Sequence, residues 1–188
     1  QGLAGLLVWA LGQRRALGRA PFTVLCCDNL PENGMVLRGL LVDFARHAAP
    51  DLVHHIAHCV AFPSTMVDRI TPSATQNTRD LAEQMTGYRD EAAIETEGFH
   101  QWVIEDHFPT GRPNWEAGGA IFASEVRPYE NMKLRMLNGA HSMLAYVGFA
   151  AGHHYVRDVM ANPDLSRLVT RHFSAAAATL APLPGVDF

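Results

Sequence analysis

Strand-like segments occur only between residues 22 and 126 of this 188-residue chain, and this pattern limits the folds open to it. Residues 22–27, FTVLCC, are apolar on both faces, which is typical of a central parallel strand covered by helices. Three further segments read as strands: residues 58–62, 99–106 and 120–126. From Pro128 onward only helical spacing remains. The pattern predicts an α/β part over residues 1–122 and a mostly α-helical part over residues 123–188.

Helical periodicity accounts for most of the remaining chain. The first helix is expected to stop at Gly18, with Pro21 just beyond it. Residues 111–119 are a predicted loop. The predicted helices are residues 2–18, 32–48, 51–57, 129–152, 156–160 and 164–180.

Charge and cysteine content exclude several classes of protein. A formal net charge of −4, with scattered Lys and Arg, gives no basic field for nucleic acid. The apolar opening at residues 2–12 is too short to span a bilayer, so we expect neither membrane nor nucleic acid as a partner. Three cysteines, two of them adjacent, cannot form a disulfide framework, and the reduced cytoplasm is the expected compartment. The chain has no initiator methionine, so we expect an excerpt of a longer protein.

Residues 133–141, KLRMLNGAH, are the strongest candidate for chemistry because they combine Lys133, Asn138 and His141 on an apolar helical background. At about 100° per residue these side chains point to about 0°, 140° and 80°, which is one broad helix face. A lysine against apolar walls loses solvation of its charged form and can exchange a proton near neutral pH. The alternative is an ordinary amphipathic helix with a snorkelling lysine and a hydrogen-bonded core histidine.

The same segment resembles the Lys-x-x-x-x-Asn-x-x-His signature of the long-chain polyol dehydrogenases, the mannitol dehydrogenase and fructuronate reductase family. Three other stretches resemble that family in the same order: residues 22–34 (FTVLCCDNLPENG), 62–72 (FPSTMVDRITP) and 99–106 (FHQWVIED). Two flanking residues depart from the family pattern: Cys27 replaces the usual serine and Gly98 the usual proline. The resemblance implies a Rossmann-like nucleotide-binding domain followed by an all-α catalytic domain. Both are incomplete here, because family members are longer and no G-x-G-x-x-G turn occurs in this sequence.

The resemblance also implies a reaction. It is metal-independent hydride transfer between an acyclic polyol or aldonate and its ketose or keto acid, with NAD or NADP as cofactor. Lys133 is the implied general acid and base, Asn29 and Asn138 polarise the carbinol oxygen, and His141 orients substrate and lysine. The resemblance also implies Asp68 and Arg69 in the substrate and nicotinamide pocket, where a surface ion pair is the alternative, and Asn29, Ser64 and Val67 at the cofactor. Glu130 stands three residues before Lys133 on the same helix face and could relay protons, although a helix-start carboxylate favoured by the macrodipole is the plainer interpretation. Mannitol, arabinitol, sorbitol, fructuronate and tagaturonate all suit the family.

These roles carry a geometric expectation. The side chains of Lys133, Asn138, His141 and Asn29 should converge on one cleft between the two parts of the chain. An Asn29 more than about 10 Å from the Lys133 amine would lie beyond hydrogen-bond reach even through one water.

Other interpretations stay open at this point. A lysine-dependent lyase also needs a desolvated lysine, and a non-catalytic module could use the helix at 129–152 as a partner surface. Asn29 could simply close an Asx-turn before Leu-Pro. A histidine-rich stretch could seat zinc by helical spacing, but ordinary surface histidines explain it better, as they do His153 and His154. That stretch contains Asp51, His54, His55, His58 and Cys59.

Overall fold

The computed structural model describes residues 2–183 and residue 186. Three helices come first, three short strands follow with one helix between the first two, and the second part contains helices that follow one another directly. The helices are α1 (Leu3–Ala16), α2 (Asn33–Ala48), α3 (Val53–Cys59), α4 (Gln76–Thr86), α5 (Arg127–Met132), α6 (Gly139–Ala150), α7 (Val156–Ala161) and α8 (Pro163–Ala177). Short 3₁₀ turns span Pro50–Leu52 and Trp115–Gly118, and Lys133–Asn138 forms a π-helical segment.

Helices α1, α2 and α3 enclose the first core. Val8 and Leu11 of α1 pack with Leu41 of α2 and Ile56 of α3, and all four are almost fully buried. The start of α2 lies against the backbone at residues 62–63, where a Cβ on Gly34 would meet the Phe62 carbonyl oxygen at 2.4 Å. Only glycine allows this approach, which fixes where α2 begins relative to the site described below.

A three-stranded sheet follows this core. β1 (Thr65–Asp68) pairs antiparallel with β2 (Gln101–Glu105), and β2 pairs in parallel with β3 (Ile121–Ala123). The sequence predictions for residues 99–106 and 120–126 therefore contain β2 and β3. The carboxyl end of β1, at Val67 and Asp68, faces the helical part.

Two of the predicted strands are wrong. Residues 22–27 run in an extended path without a strand ladder, and residues 58–62 contain the end of α3. Among the described residues, one backbone hydrogen bond joins the two segments, from Val24 N to Ala61 O at 2.9 Å. Val24, Val60 and Phe62 are buried in the first core, and an apolar pattern alone cannot separate such burial from strand pairing. The strand of this region is β1, which begins three residues after the predicted one ends.

The sequence prediction did not include helix α4. The residues at its two ends explain why a helix forms there. Thr75 caps the N-terminus in a reciprocal capping box with Thr78, and Gly87 ends the helix with φ 76°. A capping box is a standard signal for the start of a helix, and a glycine with positive φ is a standard signal for its end. The sequence prediction missed this helix because its composition is mostly polar.

The connection between β2 and β3 is an aromatic and ionic cluster instead of a helix. Arg112 forms ion pairs with Asp106 and Glu116, each at 2.9 Å, and its guanidinium lies 3.3 Å from the centre of the Phe122 ring. Trp115 stacks on the same ring with planes 8° apart. These side-chain contacts stabilise the connection between the parallel strands β2 and β3.

The helical part is built on one long run of chain from α5 through the π segment to α6. Leu144 of α6 packs against Val159 of α7 and Val169 of α8. Tyr129 of α5 packs against Met66 and Val103, which joins the helical part to the sheet. Among the described residues, no helix is both long and apolar enough to cross a membrane.

Candidate active site

A cleft lies where the turn after residue 27, the carboxyl half of β1 and the helical run meet. It holds about 400 Å³ of space open to solvent. Its wall includes apolar Leu30, Met66 and Leu134 beside polar side chains. The polar side chains of interest are Asp28, Asn29, Glu130, Lys133 and Asn138.

The amine of Lys133 is the centre of this cleft. Its Nζ donates hydrogen bonds to Asn29 Oδ1 at 3.0 Å and to the Val67 carbonyl oxygen at 2.5 Å. These partners lie 104 and 66 residues away along the chain. The separation of Asn29 from the lysine amine is thus far inside the 10 Å limit set from the sequence. With its Oδ1 engaged by the lysine, the Asn29 amide keeps its Nδ2 hydrogens for another acceptor.

The π-helical segment explains why Lys133 and Asn138 share the cleft. In an ideal α-helix residues five apart point about 140° from each other. In the π segment, hydrogen bonds span i to i+5, so residues 133 and 138 stand one turn apart on the same side. The angles calculated from the sequence for a regular helix therefore did not apply here. Such single π turns are frequent at functional sites.

Helix α8 braces this π segment from outside. The Nε2 of His172 lies 3.1 Å from the Arg135 carbonyl oxygen, and because a carbonyl only accepts, this nitrogen carries the hydrogen. The Arg135 guanidinium in turn donates to the Thr179 carbonyl oxygen at 2.6 Å. The irregular turn is thus tied to α8 through its backbone and to the residues just after α8 through the Arg135 side chain.

A second, wider space lies on the other side of Lys133. It holds about 670 Å³, and Asp68, Phe99, Gln101, Met136 and Phe173 line it together with the lysine. Burial raises the pKa of the Asp68 carboxyl, and the positive charges of Lys133 and His141 oppose that rise. His141 is exposed and lines neither space, so the structure does not bring it together with Lys133, Asn29 and Asn138 as the sequence predicted.

Glu130 is a buried carboxylate on the wall of the first cleft, with 8% of its surface exposed. Its Oε1 accepts a hydrogen bond from the Glu32 backbone N–H at 3.0 Å. Burial raises the pKa of Glu130, while this hydrogen bond pulls it down. Arg127 pairs with the Glu32 side chain at 2.7 Å. A carboxyl that is reluctant to ionise thus lies three residues before the lysine.

Two family models match nearly the whole chain. The mannitol dehydrogenase Rossmann domain matches residues 1–117, and the mannitol dehydrogenase C-terminal domain matches residues 125–188. The chain belongs to the mannitol dehydrogenase family. It has the fold of that family, a Rossmann-like domain followed by a mostly helical one.

Known members resemble the chain closely over one region. D-mannonate oxidoreductase of Escherichia coli strain K12 is 48% identical over 160 residues, which are 85% of this chain and 33% of that protein. Mannitol 2-dehydrogenase of Aspergillus terreus is 42% identical over 187 residues, 97% of this chain and 37% of that protein. The Pseudomonas fluorescens mannitol 2-dehydrogenase, solved as a ternary complex with NAD and D-mannitol, superposes with a TM-score of 0.82 at 41% identity. That match covers 98% of this chain and 38% of the solved one. The chain spans about a third of the length of the curated relatives it matches.

Three residues expected at the mannitol dehydrogenase site line neither space: His141, Ser64 and Arg69. Ser64 is 2% exposed, and its backbone N–H donates to Glu105 Oε2 at 2.8 Å. Arg69 turns away to the Glu97 carbonyl oxygen, at 3.1 Å from its Nε. Thr65 and Val67 line the wall where Ser64 was expected.

Histidines of the mannitol dehydrogenase chain do not assemble a metal site. The rings of His54 and His58 lie 4.6 Å apart, centre to centre, on the exposed side of α3. Within the described residues, no group of three or more His, Cys, Asp and Glu side chains is placed to hold a metal ion. Burial lowers the pKa of His55, reinforced by the charge of Arg15.

Asn33 is the site residue that sequence reasoning missed. It is 1% exposed at the start of α2, and its side chain contacts the backbone at Cys26, Asp28 and Thr65. In the sequence it precedes Gly34, and an Asn-Gly pair indicates a turn rather than a buried anchor. Only the burial of the Asn33 amide in the folded chain distinguishes a buried anchor from a turn residue.

Proposed function

We propose that this chain is part of an NAD- or NADP-dependent dehydrogenase. It would interconvert an acyclic polyol or aldonate and the corresponding ketose or keto acid. The observation that carries the proposal is the Lys133 amine, held between Asn29 Oδ1 and the Val67 carbonyl at the meeting point of two open spaces. The names of its relatives, a mannonate oxidoreductase and mannitol 2-dehydrogenases, support the substrate class.

The first cleft suits the nicotinamide end of the cofactor. Its wall combines apolar side chains with a few polar groups, as the walls of small-molecule sites commonly do. Apolar Leu30, Met66 and Leu134 suit the faces of a flat ring. When bound, the cofactor supplies the hydride acceptor or donor, and the protein supplies position and proton transfer.

Lys133 acts at its Nζ as the proton-transfer group. In oxidation the neutral amine takes the hydroxyl proton of the substrate, and in reduction the ammonium returns it. Asn29 Nδ2 and the Asn138 amide donate to the substrate oxygen, where negative charge develops. Two amides on separate elements thus hold that oxygen near the lysine.

Glu130 and Asp68 flank the lysine on either side and have different roles. Glu130, with its raised pKa, exchanges protons between Lys133 and water near the start of α5. Asp68 receives substrate hydroxyls in the second space. Metal ions take no part in this scheme.

The organisation of the chain is also a proposal. We place the boundary between the nucleotide-binding part and the helical part near residue 122. The end of β3 at Ala123 and the start of α5 at Arg127 support that place. The unpaired thiols of Cys26, Cys27 and Cys59 support a cytoplasmic location, because reduced cysteines are typical there.

The test is a substrate panel with the full gene product. Mannitol, sorbitol, arabinitol, fructuronate and tagaturonate are each assayed with both cofactors by nicotinamide absorbance. Turnover of at least one pair, lost in Lys133→Met, is the expected result. Absence of turnover with every pair would overturn the proposal, and substrate-dependent inactivation by borohydride would indicate a lysine lyase instead.

A further inference from the structure

We propose that Asn33 is a positioning residue for the lysine amine. Resting on the proposed function, the inference adds a residue that never touches substrate or cofactor. Asn33 lies behind the cleft, at the first residue of α2, where its side chain joins the two backbone segments that hold Lys133.

The two partners of the lysine belong to different parts of the chain. Asn29 comes directly after residues 26–28, while Val67 belongs to β1. Within the described residues, no backbone hydrogen bond runs between residues 26–29 and Thr65–Asp68. Something other than a strand ladder must therefore fix the gap between the two acceptors.

The amide of Asn33 bridges that gap from both of its atoms. Its Nδ2 lies 2.8 Å from the Asp28 carbonyl oxygen and 3.2 Å from that of Cys26. The same nitrogen lies 3.1 Å from the Thr65 carbonyl oxygen. Its Oδ1 accepts the Thr65 backbone N–H at 2.9 Å. One buried amide thus holds the residue before Asn29 and the residue two before Val67.

Two neighbouring features reinforce this bridge. The Thr65 hydroxyl donates to the Cys26 carbonyl oxygen at 2.6 Å, which ties the same two segments a second time. Gly34 lets α2 approach Phe62, so Asn33 can reach both segments at all. A side chain that donates and accepts at once is required, and burial at 1% exposure excludes water as a substitute.

The expected effect is a loss of rate without a loss of cofactor affinity. A misplacement of about 1 Å at catalytic groups costs on the order of 10²-fold. Asn33→Ala in the full gene product should therefore lower kcat roughly 10- to 100-fold per folded site. KM for the polyol and the Kd for the reduced cofactor, measured by fluorescence titration, should change less than about threefold. Thr65→Val, which suits a strand, should lower kcat in the same direction by a smaller factor.

A double-mutant cycle separates positioning from general structural support. If Asn33 acts by placing the Asn29 amide, Asn29→Ala removes what it places. The double variant should then lose little more than Asn29→Ala alone, within about threefold. Fully additive losses would overturn the proposal.

Two further arms make failures distinguishable. Thr75→Ala removes the cap of α4 away from the cleft, and it should lower the melting temperature while leaving kcat per folded site unchanged. Amide exchange at Thr65, read against the buried amides of Val103 and Ile104, needs no activity and should accelerate at least about tenfold in Asn33→Ala. Unchanged exchange, or kcat within twofold of the parent in folded Asn33→Ala, would overturn the positioning role. A parent without dehydrogenase activity but with the exchange effect would overturn the proposed function and leave the bridge intact.

Discussion

At the scale of single residues, two oxygen acceptors from distant parts of the chain set the position of the Lys133 amine. Asn29 supplies a side-chain oxygen and Val67 a backbone one. Both accept only, so the lysine must direct its hydrogens towards them and its position in the cleft is fixed. That position is what a proton-transfer group needs before substrate arrives.

Removing the amine should abolish proton transfer and spare binding. We expect Lys133→Met to lower kcat by about 10² to 10⁴, the usual contribution of general acid and base catalysis. The Kd of the cofactor should stay within a few fold, measured by fluorescence titration. Arg157→Met, at an exposed arginine on α7, is the matched control and should behave as the parent. Parent-like turnover in Lys133→Met would exclude the lysine mechanism.

Glu130 should leave a signature in the pH dependence of stability. Its pKa is raised by burial, so the folded chain holds this proton more tightly than the unfolded chain. As pH rises above about 4.3, where an unfolded glutamate ionises, Glu130 therefore lowers the free energy of unfolding until pH passes its raised pKa. Glu130→Gln keeps the acceptor for Glu32 but cannot ionise. Its melting temperature should gain on the parent across that window and level off above it.

An exposed glutamate provides the opposite sign as a control. The hydrogen bond from Arg89 holds the pKa of Glu91 below its ordinary value. Its stabilising effect is present above the unfolded pKa and is lost as pH falls, so Glu91→Gln should lose ground as pH rises. Parallel pH profiles for the two variants would contradict the assignment at Glu130.

Residue-level reasoning from sequence found the side chains that meet in the cleft but missed the one behind it. Lys133, Asn138 and Asn29 stand out because polar groups interrupt apolar or strand-end contexts. Asn33 has no such signal, because its importance comes from burial among three backbone carbonyls. Burial of this kind depends on tertiary contacts between residues 7 and 32 positions apart.

At the scale of elements, the π segment is what places Lys133 and Asn138 on the same side of the helical run. It replaces the regular turn between Lys133 and Asn138, and α8 supports it through His172. Sequence periodicity predicted a helix over 129–152 but could not reveal an i to i+5 turn inside it. One extra residue in a turn changes the angles of all later side chains while leaving the apolar pattern recognisable.

Removing the support should loosen this turn. His172→Leu leaves the Arg135 carbonyl without its donor, at a cost of about 1 kcal/mol for a partly exposed hydrogen bond. For a chain of this size that corresponds to about 2–4 °C in melting temperature. His172→Gln, which retains an N–H donor, should recover part of the loss, and calorimetry checks both. Equal losses in the two variants would show that packing, not the hydrogen bond, is responsible.

Helices were predicted better than strands, and the difference has a physical origin. The bounds of α1 and α2 agree with sequence expectation because helical hydrogen bonds are local. Strands need partners, and the apolar segments at 22–27 and 58–62 have only one backbone hydrogen bond between them. Apolar composition reports burial, and a ladder depends on what lies alongside.

At the scale of the whole molecule, catalysis should not depend on a metal ion. The described residues place no set of three ligands together, and in the proposed reaction Lys133 transfers the proton. We expect turnover of the full gene product to survive exhaustive treatment with EDTA, measured by nicotinamide absorbance. Loss of activity that zinc restores would direct attention back to the histidines of α3.

The contacts of Lys133 also affect the order in which parts of the chain fold. Its partners lie 104 and 66 residues away, so the cleft closes only when three distant segments have come together. Helices form from local contacts and can appear early, whereas contacts of long sequence separation form late. Enzyme activity should therefore be the last property gained on refolding and the first property lost in denaturant. Enzyme activity should return more slowly than helical ellipticity, and its loss should begin at a lower urea concentration.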